Sequence, residues 1–117
     1  MRNIRDPQKY LSSFWDWTFL NDCFGDTKIR VTDIDGAVER KGYTLIFETK
    51  LPDQEVPQGQ AILFDNWVNQ GITVLVIWGE RNQPIAAQQW GQVRVPADRE
   101  WLRQYVRNWF AWADGHR

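Results

Sequence analysis

The sequence predicts an α/β fold, a mixed β-sheet flanked by helices in the order αββαββα, and three observations carry that reading. Two runs rich in β-branched and aromatic residues, 28–40 and 43–50, are separated by Lys41-Gly42, the length and chemistry of a hairpin turn. The run Ile72 to Trp78 is almost wholly apolar, as a central strand covered on both faces must be. Segments of helical length with periodic apolar residues stand on either side of these strands.

Taken in order, residues 7–24 read as a first helix, with Pro7 suited to its first turn and Gly25 to stop it. Tyr10, Phe14, Trp17 and Phe24 fall near one stripe, whereas Trp15 and Phe19 lie off it and form an exposed apolar patch. The hairpin follows, and then a loop over 51–58 that contains Pro52 and Pro57. Residues 59–70 read as a second helix with Ile62, Leu63, Trp67 and Val68 on its core side, ended by Gly71. The central strand spans 72–78, and a last short strand spans 88–95. Residues 98–113 form a C-terminal helix with Asp98 as N-cap. On it Leu102, Tyr105, Val106, Trp109 and Trp112 face the core, and Trp67, Trp78 and Trp101 also sit at core phases.

The chain of 117 residues suits one domain, 1–117, and its 43% hydrophobic and 25% charged content is that of a globular protein. A net charge of −1 provides no general attraction to nucleic acid, so any such partner must be held by a local basic surface. The single Cys23 excludes an intrachain disulfide and fits a reducing cytoplasm. No apolar stretch is long enough to span a membrane, and the N-terminal residues lack the apolar core of a signal peptide, so no membrane partner is expected.

The hairpin holds the chemistry. A turn centred on Lys41-Gly42 sets Arg40 opposite Tyr43, Val38 opposite Leu45, Asp35 opposite Glu48 and Asp33 opposite Lys50. Side chains alternate along a strand, so Asp33, Asp35, Glu48 and Lys50 share one face, and Ile34, Val38, Leu45 and Phe47 take the other. Opposed carboxylates repel and need a cation; Lys50 is one, and a divalent metal would be another. Such a metal, Mg²⁺ by preference for oxygen ligands, can polarise a phosphodiester and lower the pKa of a bound water. Lys50 would stabilise the developing charge or orient that water. A plain solvated hairpin is the alternative.

Asp35, twelve intervening residues and then Glu48-Thr49-Lys50 resemble the motif of the PD-(D/E)XK nuclease superfamily. The Asp-Ile-Asp-Gly run with Phe-Glu-Thr-Lys downstream is similar to small phage and prophage nuclease-like proteins, and to the cores of Holliday-junction resolvases and VRR-NUC domains. The likeness covers roughly residues 10–95. It implies a restriction-endonuclease-like core and a metal-dependent endonuclease acting on DNA, with Mg²⁺ as cofactor and Mn²⁺ as substitute. Asp35 and Glu48 would bind the metal, with Asp33 as second or alternate ligand. The proline of the family name is absent, which leaves Asp33 and Asp35 both open; Asp35 is preferred because it opposes Glu48. Lys50 would be catalytic. Gln60, or Gln58 in its place, would reach back from the second helix to the metal site. Asp16 and Asp22 are minor candidates for an outer ligand, and Glu39 is read as solvated.

His116 is the single histidine and lies in the terminal tail, so a zinc site or a Ser/His/Asp triad has no basis. Arg99, Arg103 and Arg107 recur every fourth residue and form a stripe that could contact DNA phosphates without sequence preference. A homodimer would let so small a nuclease address both strands of a duplex. The competing function is a non-catalytic nucleic-acid-binding or anti-defence interaction protein on the same fold, and an RNA-directed nuclease is a third reading.

Overall fold

The computed structural model describes residues 7–115, so His116 lies outside the described residues. The chain divides after Asp33 into two compact units.

In the first unit the expected single helix over 7–24 is two shorter ones. Helix α1 (Pro7–Ser12) ends early, and a 3-10 helix (Trp17–Phe24) begins after Asp16. The break has a local cause. The Ser12 and Ser13 hydroxyls donate back to the Lys9 and Tyr10 carbonyls, and the Asp16 carboxylate accepts the Thr18 N–H at 2.9 Å as an N-cap. Short polar side chains that satisfy the backbone this way favour an end over a continuing helix. The stripe from Tyr10 to Phe24 therefore does not exist as one face. Trp15 and Phe19 are exposed as expected, and Gly25 ends the 3-10 helix with positive φ.

The second unit is α/β: a five-stranded mixed open sheet in the order β1-β2-β3-β4-β5, with two of the three described α-helices. Its strands are β1 (Gly36–Arg40), β2 (Tyr43–Lys50), β3 (Thr73–Glu80), β4 (Gln83–Gln89) and β5 (Val95–Pro96). Helix α2 (Gln58–Asn69) crosses between the parallel strands β2 and β3, and helix α3 (Arg99–Gly115) closes the described chain. The Lys41-Gly42 turn has positive φ at both residues, and the register of β1 on β2 is the expected one, with Arg40 on Tyr43 and Val38 on Leu45.

Several boundaries differ from expectation. The first strand runs over 36–40 and not 28–40. The strand expected at 88–95 is instead β4, which turns back from β3 through Arg81-Asn82, with β5 as a two-residue edge. Asn82 takes the positive φ that this tight return needs, and a Cβ at Gly79 would meet the Gln83 carbonyl oxygen. Helix α3 runs two residues further than expected, and Asp98 caps it through the Trp101 N–H at 2.8 Å.

Period two along the strands sorts the core into two layers. On one face Leu45, Leu75, Ile77 and Ala87 pack with Trp109 and Ala113 of α3, joined by Val38 and Phe47. On the other, Val74, Val76 and Trp78 pack with Phe64 of α2, joined by Leu63 and Trp67. The core side of α2 is centred on Phe64, which is wholly buried, so Ile62 and Val68 are exposed against expectation. Trp112 is likewise exposed at the end of α3, its ring set edge-on to Tyr43. Among the described residues, no helix is long and apolar enough to cross a membrane.

Candidate functional site

Glu48 is the one buried charged residue among those described, and its position follows from the register. It lies beside Val76 of β3 and therefore on the α2 face of the sheet. Isolated buried carboxylates are costly unless other groups offset the charge. Two elements do so here. The Lys50 ammonium, two residues on along β2, stands 3.8 Å from Glu48 Oε1. The Gln60 amide, from the first turn of α2, donates to the same oxygen at 3.2 Å. Because α2 is the crossover that follows β2, its N-terminal turn returns to the end of the strand from which it came.

Asp35 reaches this region by a route the alternation rule did not contain. The β1 ladder stops at the Gly36–Phe47 pair, so strand parity does not place Asp35 or Asp33. Asp35 Oδ2 instead accepts the Thr49 N–H at 2.8 Å and the Thr49 hydroxyl at 3.1 Å. Two more residues of the ladder would have set Ile34 opposite Thr49, with that N–H pointing at the Ile34 carbonyl. The carboxylate takes the donor first, and the strand ends.

The Glu48 carboxyl is pushed above the usual carboxylate range, chiefly by burial and then by the Asp35 charge, while the Gln60 bond and Lys50 pull it back. Gln60 Oε1 is buried and has no hydrogen-bond partner. The amide cannot turn over to cure this, since Oε1 would then face the Glu48 oxygen.

The remaining expected residues have their own local settings. Asp33 belongs to the first unit, where it lines a hollow with Trp15, Asp16, Trp17 and Arg30. Asp16 is occupied as an N-cap, which holds its carboxyl below the usual range. Asp22 lies in the same 3-10 helix. Glu39 accepts the Gly42 N–H at 2.7 Å and so buttresses the turn. Arg99, Arg103 and Arg107 are exposed on α3, the helix packed on the sheet face opposite Glu48. Arg103 and Arg107 pair with Glu100 at 3.7 and 3.4 Å. Gln58 opens α2 and is exposed, and Gln60 makes the contact with Glu48.

Two site features were missed by sequence reasoning. Thr49, between the two named residues of the motif, is the anchor for Asp35. Arg94, just before β5, lays its guanidinium 3.6 Å from the centroid of the Trp78 ring. Neither contact was legible in residue order: strand parity put Thr49 on the face opposite Asp35, and Arg94 meets Trp78 across an intervening strand.

The donors present suit a hard, oxygen-seeking cation: two neighbouring carboxylates and a buried amide oxygen with no partner. Mg²⁺ takes one or two protein carboxylates and keeps several waters. Among the described residues no three His, Cys, Asp or Glu side chains come together as a metal cage. A cation here would thus be held mainly by Asp35 and Glu48 and would remain well hydrated. Comparison with protein-family models, with curated proteins and with solved structures returns no match for the chain.

Proposed function

We propose that the protein is a Mg²⁺-dependent endonuclease of the PD-(D/E)XK type, hydrolysing phosphodiester bonds in DNA, on a restriction-endonuclease-like core. The observation that carries this reading is a buried Glu48 between Lys50 and Gln60 with Asp35 beside it. A merely structural hairpin has no use for that arrangement. Burying a carboxylate next to a second one raises the free energy of the folded protein, and such costs are concentrated where chemistry is done.

Each residue has a role set by its position. Asp35 and Glu48 would hold the cation through carboxylate oxygens, and Thr49 fixes the direction of Asp35. The bound cation supplies charge stabilisation and a more acidic water. Lys50, half-buried beside Glu48, orients a water and stabilises the negative charge that develops on the phosphate oxygens. Gln60 fixes the Glu48 carboxylate with its N–H and offers its free Oε1 as acceptor for a water. Mn²⁺ is expected to substitute for Mg²⁺ at such oxygen donors.

The test is cleavage of plasmid, single-stranded and four-way-junction DNA by the purified protein with Mg²⁺ or Mn²⁺, beside Glu48→Ala. Metal-dependent cutting that the variant lacks supports the reading, and the ranking of substrates names the subclass. Absence of cutting on every DNA, with binding equal in wild type and variant, would favour a non-catalytic nucleic-acid-binding protein on the same fold.

A further inference from the structure

Arg94 is held in place by more than solvent-exposed arginines usually are. The central carbon of its guanidinium lies over the Trp78 ring, 3.6 Å from the centroid. Trp78 is itself almost wholly buried, and its indole N–H donates to the Gln54 carbonyl at 2.8 Å, so the ring cannot turn. Arg94 precedes β5, and β4 lies between β5 and β3, so the contact spans a strand; the β4 residue paired with Trp78 is Ala86, a small side chain. The result is a planar cation fixed on a rigid aromatic platform.

The platform stands beside the site. Trp78 and Lys50 are register partners on adjacent parallel strands, so Arg94, Lys50 and Glu48 share the α2 side of the sheet at the carboxyl ends of β2 and β3. In open α/β sheets that end is where ligands bind. The exposed carboxylate of Glu55, from the loop between β2 and α2, pairs with Arg94 at 3.2 Å. Stacking leaves the edge of a guanidinium free for in-plane donors, and a phosphate presents oxygens to that edge much as Glu55 does.

On the nuclease reading given above, we propose that Arg94 binds a backbone phosphate of the DNA substrate next to the scissile one, and that Glu55 occupies this guanidinium until phosphate displaces it. Arg94 is then a positioning residue, and Glu55 an internal competitor of the substrate. Arginine suits this task better than lysine, because its fork pairs with phosphate at two points and stacks on tryptophan at once.

The experiment is a double-mutant cycle on binding of a short duplex DNA by the full chain, with Ca²⁺ replacing Mg²⁺ to keep the DNA uncut, at several salt concentrations. Arg94→Met keeps an apolar stem over Trp78 and removes the charge, and Arg94→Lys is the conservative partner. Met should weaken binding on the order of tenfold and lower the salt slope by about 1. Lys should restore the slope and only part of the affinity. Glu55→Ala should tighten binding roughly twofold to fivefold in the wild-type background and leave it unchanged beside Arg94→Met. Equal tightening in both backgrounds would mean that Glu55 acts through the general field and would overturn the proposal. So would wild-type affinity and slope in a folded Arg94→Met. A wild-type chain that binds and cuts DNA while this cycle is flat loses only the Arg94 assignment; a wild-type chain that neither binds nor cuts loses both it and the nuclease reading.

Discussion

Asp35 ends strand β1 by taking the Thr49 N–H into its own carboxylate, at 2.8 Å, and the same bond aims it toward Glu48. One short contact thus sets a strand boundary and builds half of a candidate cation site. Asp35→Asn keeps an oxygen for both Thr49 bonds and removes only the charge. It is expected to fold with near wild-type stability and to lose metal-dependent cutting. Asp35→Ala removes the bonds too and should cost about 1 kcal/mol for each net hydrogen bond lost. Urea denaturation beside the cleavage assay separates the two effects.

Glu48 titrates above the usual carboxylate range because it is buried and faces Asp35. Its folded-state value therefore lies above its unfolded one, and the folded protein holds the proton more tightly. The stability this contributes is complete below the unfolded value and is lost as pH rises through the raised one. Glu48→Gln should abolish that part of the pH dependence and leave the protein more stable at neutral pH while inactive. Denaturation midpoints across the acid range check this, and a variant less stable than wild type at neutral pH would contradict it.

Gln60 lowers the Glu48 value through its hydrogen bond, so removing the amide must raise it. Cation binding needs the ionised carboxylate. Gln60→Leu is therefore expected to shift the acid limb of the pH–rate profile to higher pH as well as to lower the maximal rate. A lower rate with an unmoved limb would make Gln60 a packing residue only.

Tyr105 lies on the other sheet face, with its hydroxyl donating to Gln89 Oε1 at 2.5 Å and burial pushing its pKa up to about 12. The folded state keeps this proton longer than the unfolded one, so stability falls as pH rises from about 10 toward about 12. Ultraviolet titration should show Tyr105 as the last tyrosine to ionise, and Tyr105→Phe should lose about 0.5–1.5 kcal/mol without affecting cutting.

Phe64 is wholly buried between α2 and β3 and meets Trp67 and Trp90. Phe64→Ala should destabilise the protein by about 3–5 kcal/mol. Because α2 also holds Gln60, cutting should fall with the loss of fold and return when temperature is lowered, as measured by activity against melting temperature.

Much of the sheet was legible because its signals are local. Lys41-Gly42 fixed the hairpin register, and the unbroken apolar run marked β3. Glu48 and Lys50 could be named because strand parity places them without reference to distant segments, and Gln60 because the resemblance to the nuclease superfamily implies a Gln early in the second helix. The rest depends on competition that residue order does not reveal. Thr32 and Val31 have strand propensity, yet a carboxylate captured the ladder donor at Thr49 and ended β1 at Gly36. Ser12, Ser13 and Asp16 outbid the apolar stripe of the first helix with their own backbone bonds. Arg94 was invisible because it meets Trp78 across a whole strand.

The most direct measurement is the single-turnover rate of plasmid cutting by Lys50→Ala, with DNA and Mg²⁺ at saturation. Lys50 is placed beside the carboxylate and is not one of the proposed cation ligands. The expected rate is lower by about 10²-fold or more, with DNA and metal still bound. A Lys50→Ala protein that cuts at the wild-type rate would show that the Glu48–Lys50 pair does not perform the chemistry.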